Sequence, residues 1–203
     1  MPESGVMSIG RARRQLTRVG VLSAVAAALC ASAAKAAALP SLPSLKPTPA
    51  PAGWRLLLPE SRTSLLWYPP SMRLDSADHD PYSVTVDLPT QNNADVLYLN
   101  AGPKTGPERM SNWPSFRIAH IRADQNRWVH EDGRVFGVPF LGGHGSCVLD
   151  DYLTIVRANH YREIACFVQG RTTSSVIVAA TLAKDWRHYQ AQLVRAVEAF
   201  EVL

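Results

Sequence analysis

The chain has 203 residues, 46% of them hydrophobic, which suits one globular domain preceded by a leader segment. Its net charge of +4 comes entirely from residues 1–36, which hold five basic residues and one acidic residue. The remaining residues carry 16 basic and 16 acidic side chains, so the pI of about 9.1 does not indicate nucleic-acid binding.

Residues 1–36 have the pattern of an export signal peptide. A basic stretch, RARRQLTR, precedes the alanine-rich run VGVLSAVAAALCASAA, and the small residues AKA suit a signal peptidase. The apolar run is shorter than the roughly 20 strongly apolar residues that span a bilayer. We therefore expect cleavage near Ala37, no membrane span afterwards, and a periplasmic or secreted protein. Arg13 and Arg14 fit a twin-arginine signal, but general secretion signals are also basic, so both routes stay open.

Residues 37–53 predict a proline-rich linker. The stretch LPSLPSLKPTPAPAG has a proline at every second to fourth position, which is incompatible with a sheet ladder or a helix interior. We expect a semi-rigid spacer there, followed by a single domain over residues 54–203.

The order of predicted elements in this domain indicates an α+β fold. Two segments predict helices: one begins near Ser111 or Asn112 as N-cap candidates, and the last carries a stripe of apolar residues at helical spacing. Short connections between successive strands predict antiparallel pairing, with the helices packed on the sheet. The strands are predicted at 64–69, 82–88, 95–100, 134–140, 147–156, 163–169 and 175–182, and the stripe of the last helix is Trp186, Tyr189, Leu193, Val197 and Phe200.

Two stretches resemble the PsbP-like domains. SVIVAATLAKDWRHYQAQLVRAVEAF, a strand with an Ala-Ala pair leading into a terminal helix with a closing Phe, resembles their C-terminal end. LLWYPPSMRL resembles their opening hairpin, in which an aromatic residue and a proline precede a short second strand. The resemblance covers nearly all of residues 54–203 and implies an exported α/β/α sandwich, in a family that includes the LpqN and DcrB envelope proteins. It implies a non-enzymatic domain that binds or helps assemble an envelope complex, and it supplies no catalytic motif.

The stretch FLGGHGSCVLDD, residues 140–151, concentrates reactive side chains. A serine nucleophile elbow needs G-x-S-x-G between a strand and a helix, but Val148 takes the place of the last glycine and a strand follows Ser146. Cys147 with one of the six histidines remains as the alternative function, an exported hydrolase or thiol enzyme. The three glycines instead favour a turn or bulge that starts a long strand, so we expect no catalytic site here.

The same region carries residue types that bind metals, but it predicts no metal or cofactor site. The Asp150-Asp151 pair would point to opposite faces of a strand, and the histidines His144 and His160 are isolated. None of these residues has the spacing of a known ligand set.

Cys147 and Cys166 are the two cysteines that remain after signal removal, and an oxidising compartment favours joining them. A turn centred on residues 158 and 159 would place Cys147 opposite Gly170, roughly 13 Å from Cys166 and beyond the ~7 Å Cα separation that a disulfide allows. A bulge or a shifted turn would close this gap. A disulfide and a pair of buried free thiols therefore both stay open.

Trp67 and Tyr68 are candidates for contact with a partner. The stretch LLWYPPSM places them beside two prolines near a turn, where a large apolar side chain could remain exposed. Packing into the core is the simpler interpretation for both side chains.

Overall fold

The structure is a computed structural model that describes residues 42–77, 82–89, 95–124, 128–155 and 157–203. All of these residues fall within one compact unit, Ala38–Leu203. The predicted signal peptide and the start of the predicted linker lie outside the described residues. Among the described helices, none is long and apolar enough to cross a bilayer.

Ten strands in the described residues form two antiparallel sheets. The smaller sheet has the order β1-β2-β10, and the larger has the order β3-β4-β5-β9-β8-β7-β6. The strands are β1 (Arg55–Leu57), β2 (Ser64–Tyr68), β3 (Arg73–Ala77), β4 (Val84–Pro89), β5 (Asp95–Pro103), β6 (Trp128–Phe140), β7 (Gly143–Leu153), β8 (His160–Gly170), β9 (Ser174–Leu182) and β10 (Glu201–Val202).

Two helices cover opposite faces of the larger sheet. Helix α1 (Trp113–Asp124) packs on β6, β7 and β8, and helix α2 (Trp186–Glu198) packs on β9, β8 and β5. Successive side chains of a strand point to opposite faces of the sheet. In β9, Ile177 and Ala179 therefore pack in the core on the α2 side, while Val178 packs in the core on the α1 side. The architecture is therefore an α/β/α sandwich, and the predicted α+β class is confirmed.

The apolar stripe of the last helix faces the sheet, as its spacing predicts. Trp186, Leu193 and Val197 are buried, Tyr189 is half-buried, and Phe200 is buried just beyond the end of the helix. These side chains pack with the inner residues of the large sheet, so the helix forms one wall of the main core.

All seven predicted strands are present, and β3 corresponds to the short second strand that the resemblance to PsbP-like domains implies. Two further strands, β1 with three residues and β10 with two, were not predicted. Strand β6 begins six residues before its predicted start at residue 134. Two irregularities in its pairing with β7, at Glu131/Gly133 and Phe136/Val138, interrupt the alternation and conceal its length in the sequence.

The opening hairpin expected from LLWYPPSMRL does not form. Strand β2 pairs with β1 and β10, whereas β3 pairs with β4 in the other sheet. Pro69 and Pro70 follow β2 directly, and the amide of Met72 donates a hydrogen bond to the carbonyl of Pro69 at 3.1 Å. The prolines thus turn the chain away, and β2 and β3 enter different sheets.

The proline-rich segment lies against the domain from residue 42 onwards. Leu45 is buried in the main core, and the amide of Thr48 donates to the carbonyl of Glu198 at 3.0 Å. The amide of Lys46 donates to the Glu198 carboxylate at 3.1 Å. This part of the segment is packed rather than a free spacer, because its apolar side chain finds a place in the core.

Candidate functional site

The glycines of residues 140–151 form a tight turn between β6 and β7. Gly142 has φ +79°, a conformation that favours glycine. A Cβ atom on Gly143 would lie 2.3 Å from the carbonyl oxygen of Gln169, and one on Gly145 would lie 2.7 Å from the Phe140 ring. The glycines therefore permit the close approach of neighbouring strands.

Cys147 and Cys166 form a disulfide in the main core. They lie directly opposite each other in the β7–β8 register, with Cα atoms 4.1 Å apart, and both are fully buried. The register expected from a turn at residues 158 and 159 is wrong. Leu153 pairs with His160, so the turn is centred two residues earlier and Gly170 pairs with Gly143 instead.

The disulfide removes the nucleophile of the alternative function. Cys147 has no free thiol, and a thiolate is the reactive form of cysteine. The neighbouring Ser146 is fully buried, and its hydroxyl donates a hydrogen bond to the carbonyl of Met110 at 2.6 Å. Ser146 thus fastens the segment that precedes α1 to strand β7.

The predicted partner-binding pair is divided between the two faces of β2. Tyr68 is buried in the main core, while Trp67 is half-buried and lies opposite Leu56 of β1. Of the two, only Trp67 has substantial surface to offer a partner.

Of the metal-compatible residues, His144 lies apart from the others, whereas His160 is not isolated as expected, because it contacts Asp151. His144 is exposed at the start of β7, whereas the Nε2 atom of His160 lies 3.2 Å from Oδ1 of Asp151. Asp151 and Asp132 both form ion pairs with Arg162. In the part of the chain that the structure describes, no three His, Cys, Asp or Glu side chains are placed to hold a metal ion.

An ion pair that no sequence pattern predicts lies beneath α1. Arg117 of α1 donates from Nε and Nη2 to the two carboxylate oxygens of Glu163 on β8, at 2.7 and 2.9 Å. Glu163 is fully buried. Burial lowers the pKa of the Arg117 guanidinium, but the charge and hydrogen bonds of Glu163 outweigh this effect and raise it above its ordinary value.

A second buried carboxyl group stands beside this ion pair. Asp150 of β7 lies opposite Glu163 in the strand register and is fully buried, and among the described residues neither of its carboxyl oxygens has a hydrogen-bond partner. Burial, and then the charge of Glu163, raise the pKa of Asp150 well above its ordinary value. The environment therefore favours the protonated, uncharged form of Asp150.

Two tyrosines continue this polar region towards the middle of the sheet. The hydroxyl groups of Tyr98 on β5 and Tyr152 on β7 lie 2.7 Å apart and share a hydrogen bond. Burial is the main cause that raises the pKa of both tyrosines above the ordinary value. Both therefore act as neutral hydrogen-bonding groups.

Tyr98 and Arg117 also line a groove between α1 and the part of the sheet that the helix does not cover. A cavity of about 300 Å³ and an adjoining one of about 200 Å³ share Asn100, Arg117 and Val178 in their walls. The Nδ2 atom of Asn100 donates to the Thr85 hydroxyl at 2.9 Å. We call this feature the α1 groove; the larger cavity is lined by Thr85, Tyr98, Asn100, Arg117 and Val178.

The α1 groove combines hydrogen-bonding groups with an apolar floor, which is the composition of a binding site. Its residues come from strands β4, β5 and β9 and from helix α1, and each lies singly among apolar neighbours in the sequence. No sequence motif groups them, although a charged residue between two apolar residues, such as Arg117 between Phe116 and Ile118, is a signal for a buried polar site.

Solved structures share the architecture of this chain. Cyanobacterial PsbP (CyanoP) from Synechocystis sp. PCC 6803 matches it with a TM-score of 0.55 and 11% identity, covering 76% of this chain and 95% of that chain. A mutant of the protein Mog1 matches with a TM-score of 0.49 and 10% identity, covering 73% and 95%. LpqN, involved in cell envelope biogenesis of Mycobacterium tuberculosis, matches with a TM-score of 0.37 and 15% identity, covering 76% and 80%.

No family model matches the sequence, and no curated protein matches it. The likeness to CyanoP extends over nearly the whole of that chain at an identity that shows shared fold alone. The sequence resemblance to PsbP-like domains is thereby confirmed at the level of the fold: this chain is an α/β/α sandwich with the PsbP-like fold.

Proposed function

We propose that this protein is exported, resides in the cell envelope as a periplasmic or secreted domain, and acts by binding a protein or envelope complex. The basic, apolar and small-residue pattern of residues 1–36 supports export. The PsbP-like fold and the α1 groove support a role in binding.

The disulfide is the observation that carries the proposal. Cys147 and Cys166 are joined in the core of the domain. Structural disulfides form and persist in oxidising compartments and are rare where thiol reductants are abundant. A buried bond of this kind supports folding outside the cytoplasm.

The α1 groove is the surface to which we assign binding. Asn100, Thr85 and Tyr98 present hydrogen-bonding groups beside the apolar side chain of Val178, and Arg117 stands in the wall. A partner side chain or small polar group seated there would meet both kinds of surface.

Export is tested by cell fractionation combined with alkylation of free thiols under denaturing conditions. We expect a chain shortened to begin near Ala37, found outside the cytoplasm, whose Cys147 and Cys166 react only after reduction. A Cys147→Ser variant is the matched control, because its remaining Cys166 should react without reduction. A full-length cytoplasmic protein with both cysteines reactive would contradict the proposal.

Binding at the groove is tested by cross-linking in intact cells. Thr85→Trp fills the groove, so it should abolish the cross-linked product while the thermal unfolding midpoint stays close to that of the wild type. Leu74→Trp is the matched control, since Leu74 is half-exposed on the neighbouring strand β3 and lies outside the groove. Equal cross-linking of both variants would remove the groove from the proposal.

A further inference from the structure

Three connections meet at the end of the larger sheet where the glycine-rich turn lies. They are the segment between β5 and α1 (104–112), the β6–β7 turn (141–142) and the β8–β9 turn (171–173). Two adjoining clefts of about 620 and 430 Å³ open between them and share Met110 and Gln169 in their walls.

Basic side chains surround these clefts. Lys104 and Arg109 line the smaller cleft, and Arg171 and His144 line the larger one. All four are exposed. Within the described residues, none of the three permanently charged side chains forms an ion pair, whereas other arginines of the domain pair with acids.

One acidic residue, Glu108, lines the smaller cleft, and one of its two carboxylate oxygens is engaged, whereas Oε2 is buried without a hydrogen-bond partner among the described residues. Glu108 is 2% exposed, and its Oε1 atom accepts a hydrogen bond from the amide of Thr105 at 2.6 Å. When histidine is counted as uncharged, the three basic side chains and Glu108 sum to a formal charge of +2. Residues 37–203 as a whole carry equal numbers of basic and acidic side chains.

The segment that carries Lys104 and Arg109 is held in place by hydrogen bonds. The Lys104 amide donates to the carbonyl of Ser174 at 3.0 Å, and the Arg109 amide donates to Oδ1 of Asn112 at 2.7 Å. Ser146, from the glycine-rich stretch, holds the carbonyl of Met110. The backbone positions of the two cations are thus set before any ligand arrives, which lowers the entropic cost of binding.

We propose that the two clefts form a binding site for a phosphate group. An excess of two positive charges matches a phosphate dianion better than a carboxylate. The guanidinium group of an arginine can also donate two parallel hydrogen bonds to two oxygens of one phosphate. Gln169 and Ser111 add neutral hydrogen-bonding groups, and the side chains of Met110 and Phe140 give an apolar floor for the group that bears the phosphate. This site lies beside the α1 groove, and Glu108 lines both features.

The phosphate can belong to a soluble molecule or to a lipid headgroup, and the experiment distinguishes these sources. The full chain is titrated with inorganic phosphate and with acetate by calorimetry. It is also sedimented with vesicles of phosphatidylcholine, with and without phosphatidylglycerol. We expect phosphate to bind more tightly than acetate if the ligand is soluble, and the phosphatidylglycerol vesicles alone to retain the protein if it is a lipid.

The variant that tests the site is Arg109→Gln/Arg171→Gln, which should weaken binding by at least about tenfold because it removes two charge-assisted contacts. The matched control, Lys184→Gln/Arg187→Gln, removes the same charge from exposed residues beyond the opposite end of β9. It should bind like the wild type, and both variants should keep its thermal unfolding midpoint.

Three outcomes would overturn the proposal. The first is the absence of binding to both inorganic phosphate and phosphatidylglycerol vesicles. The second is acetate binding as tight as phosphate binding. The third is an equal loss of affinity in the test variant and the control, which would indicate attraction to the net charge of the protein and no defined site.

Discussion

At the scale of single residues, the carboxyl groups beneath α1 oppose folding, because their burial costs free energy. Glu163 is compensated by two hydrogen bonds from Arg117, but Asp150 has none in the structure. A buried polar group without a partner costs free energy, and a buried charge costs more. Asp150 is tolerated because its raised pKa allows it to stay protonated.

Asp150→Asn should stabilise the protein at neutral pH and have little effect near pH 3.5. Below the ordinary carboxyl pKa of about 4, Asp150 is protonated in both the folded and the unfolded chain. As the pH rises, the unfolded chain releases the proton first, so the wild type loses up to about 1.4 kcal/mol of stability per pH unit until the raised pKa is reached.

Urea unfolding at a series of pH values measures this difference. Asp75→Asn, which removes an exposed carboxylate on β3, is the control and should follow the wild type throughout. A constant difference between wild type and Asp150→Asn from pH 3.5 to pH 8 would show that Asp150 ionises normally in the folded protein.

At the scale of elements, α2 depends on packing more than on its own ends. Asp185 precedes the helix, yet its side chain makes no capping hydrogen bond. Instead, the buried side chains of Leu193 and Val197 lie in the same core cluster as the disulfide and the inner side chains of β9, and this packing holds the helix on the sheet. Tertiary packing of an amphipathic face is the usual main source of helix stability in proteins.

Leu193→Ala should lower the free energy of unfolding by about 2–5 kcal/mol, since Leu193 is 1% exposed and its truncation leaves a cavity. Arg187→Ala, on the exposed face of the same helix, should change it by less than about 0.5 kcal/mol. Chemical denaturation of both variants measures the two values. A stable Leu193→Ala protein that no longer binds its partner would mean that the stripe contacts the partner.

At the scale of the whole molecule, the proline-rich segment takes part in the domain. Leu42 and Leu45 pack on the main core, and residues 42–45 face strand β6 across a cavity of about 500 Å³. Strand β6 is an edge of the larger sheet, and exposed edges invite pairing with other chains. A proline-rich segment beside this edge covers it without extending the sheet.

Leu45→Ala should cost about 2 kcal/mol of stability because it removes a buried side chain from the core. Ser44→Ala is the matched control, since Ser44 is exposed in the same segment, and it should be nearly neutral. Thermal unfolding of the two variants measures the contrast. Equal midpoints for Leu45→Ala, Ser44→Ala and the wild type would show that the segment behaves as a free spacer.

The class of fold, seven of the ten described strands and the buried face of α2 were predictable from the sequence. These features follow from local periodicity, because alternation along a strand and the 3-to-4 spacing of Trp186, Tyr189 and Leu193 are properties of single segments. Short strands such as β1 and β10 carry too few residues to show any period.

The contacts between side chains of distant segments could not be predicted from the sequence. The disulfide depended on the centre of one turn, and a displacement of two residues exchanged Gly170 for Cys166 as the neighbour of Cys147. Arg117 and Glu163 meet because helix α1 packs over β8, and the groove exists because that helix covers part of one face. Such contacts depend on strand order, register and helix placement, which arise from interactions between distant segments and leave no period in the chain.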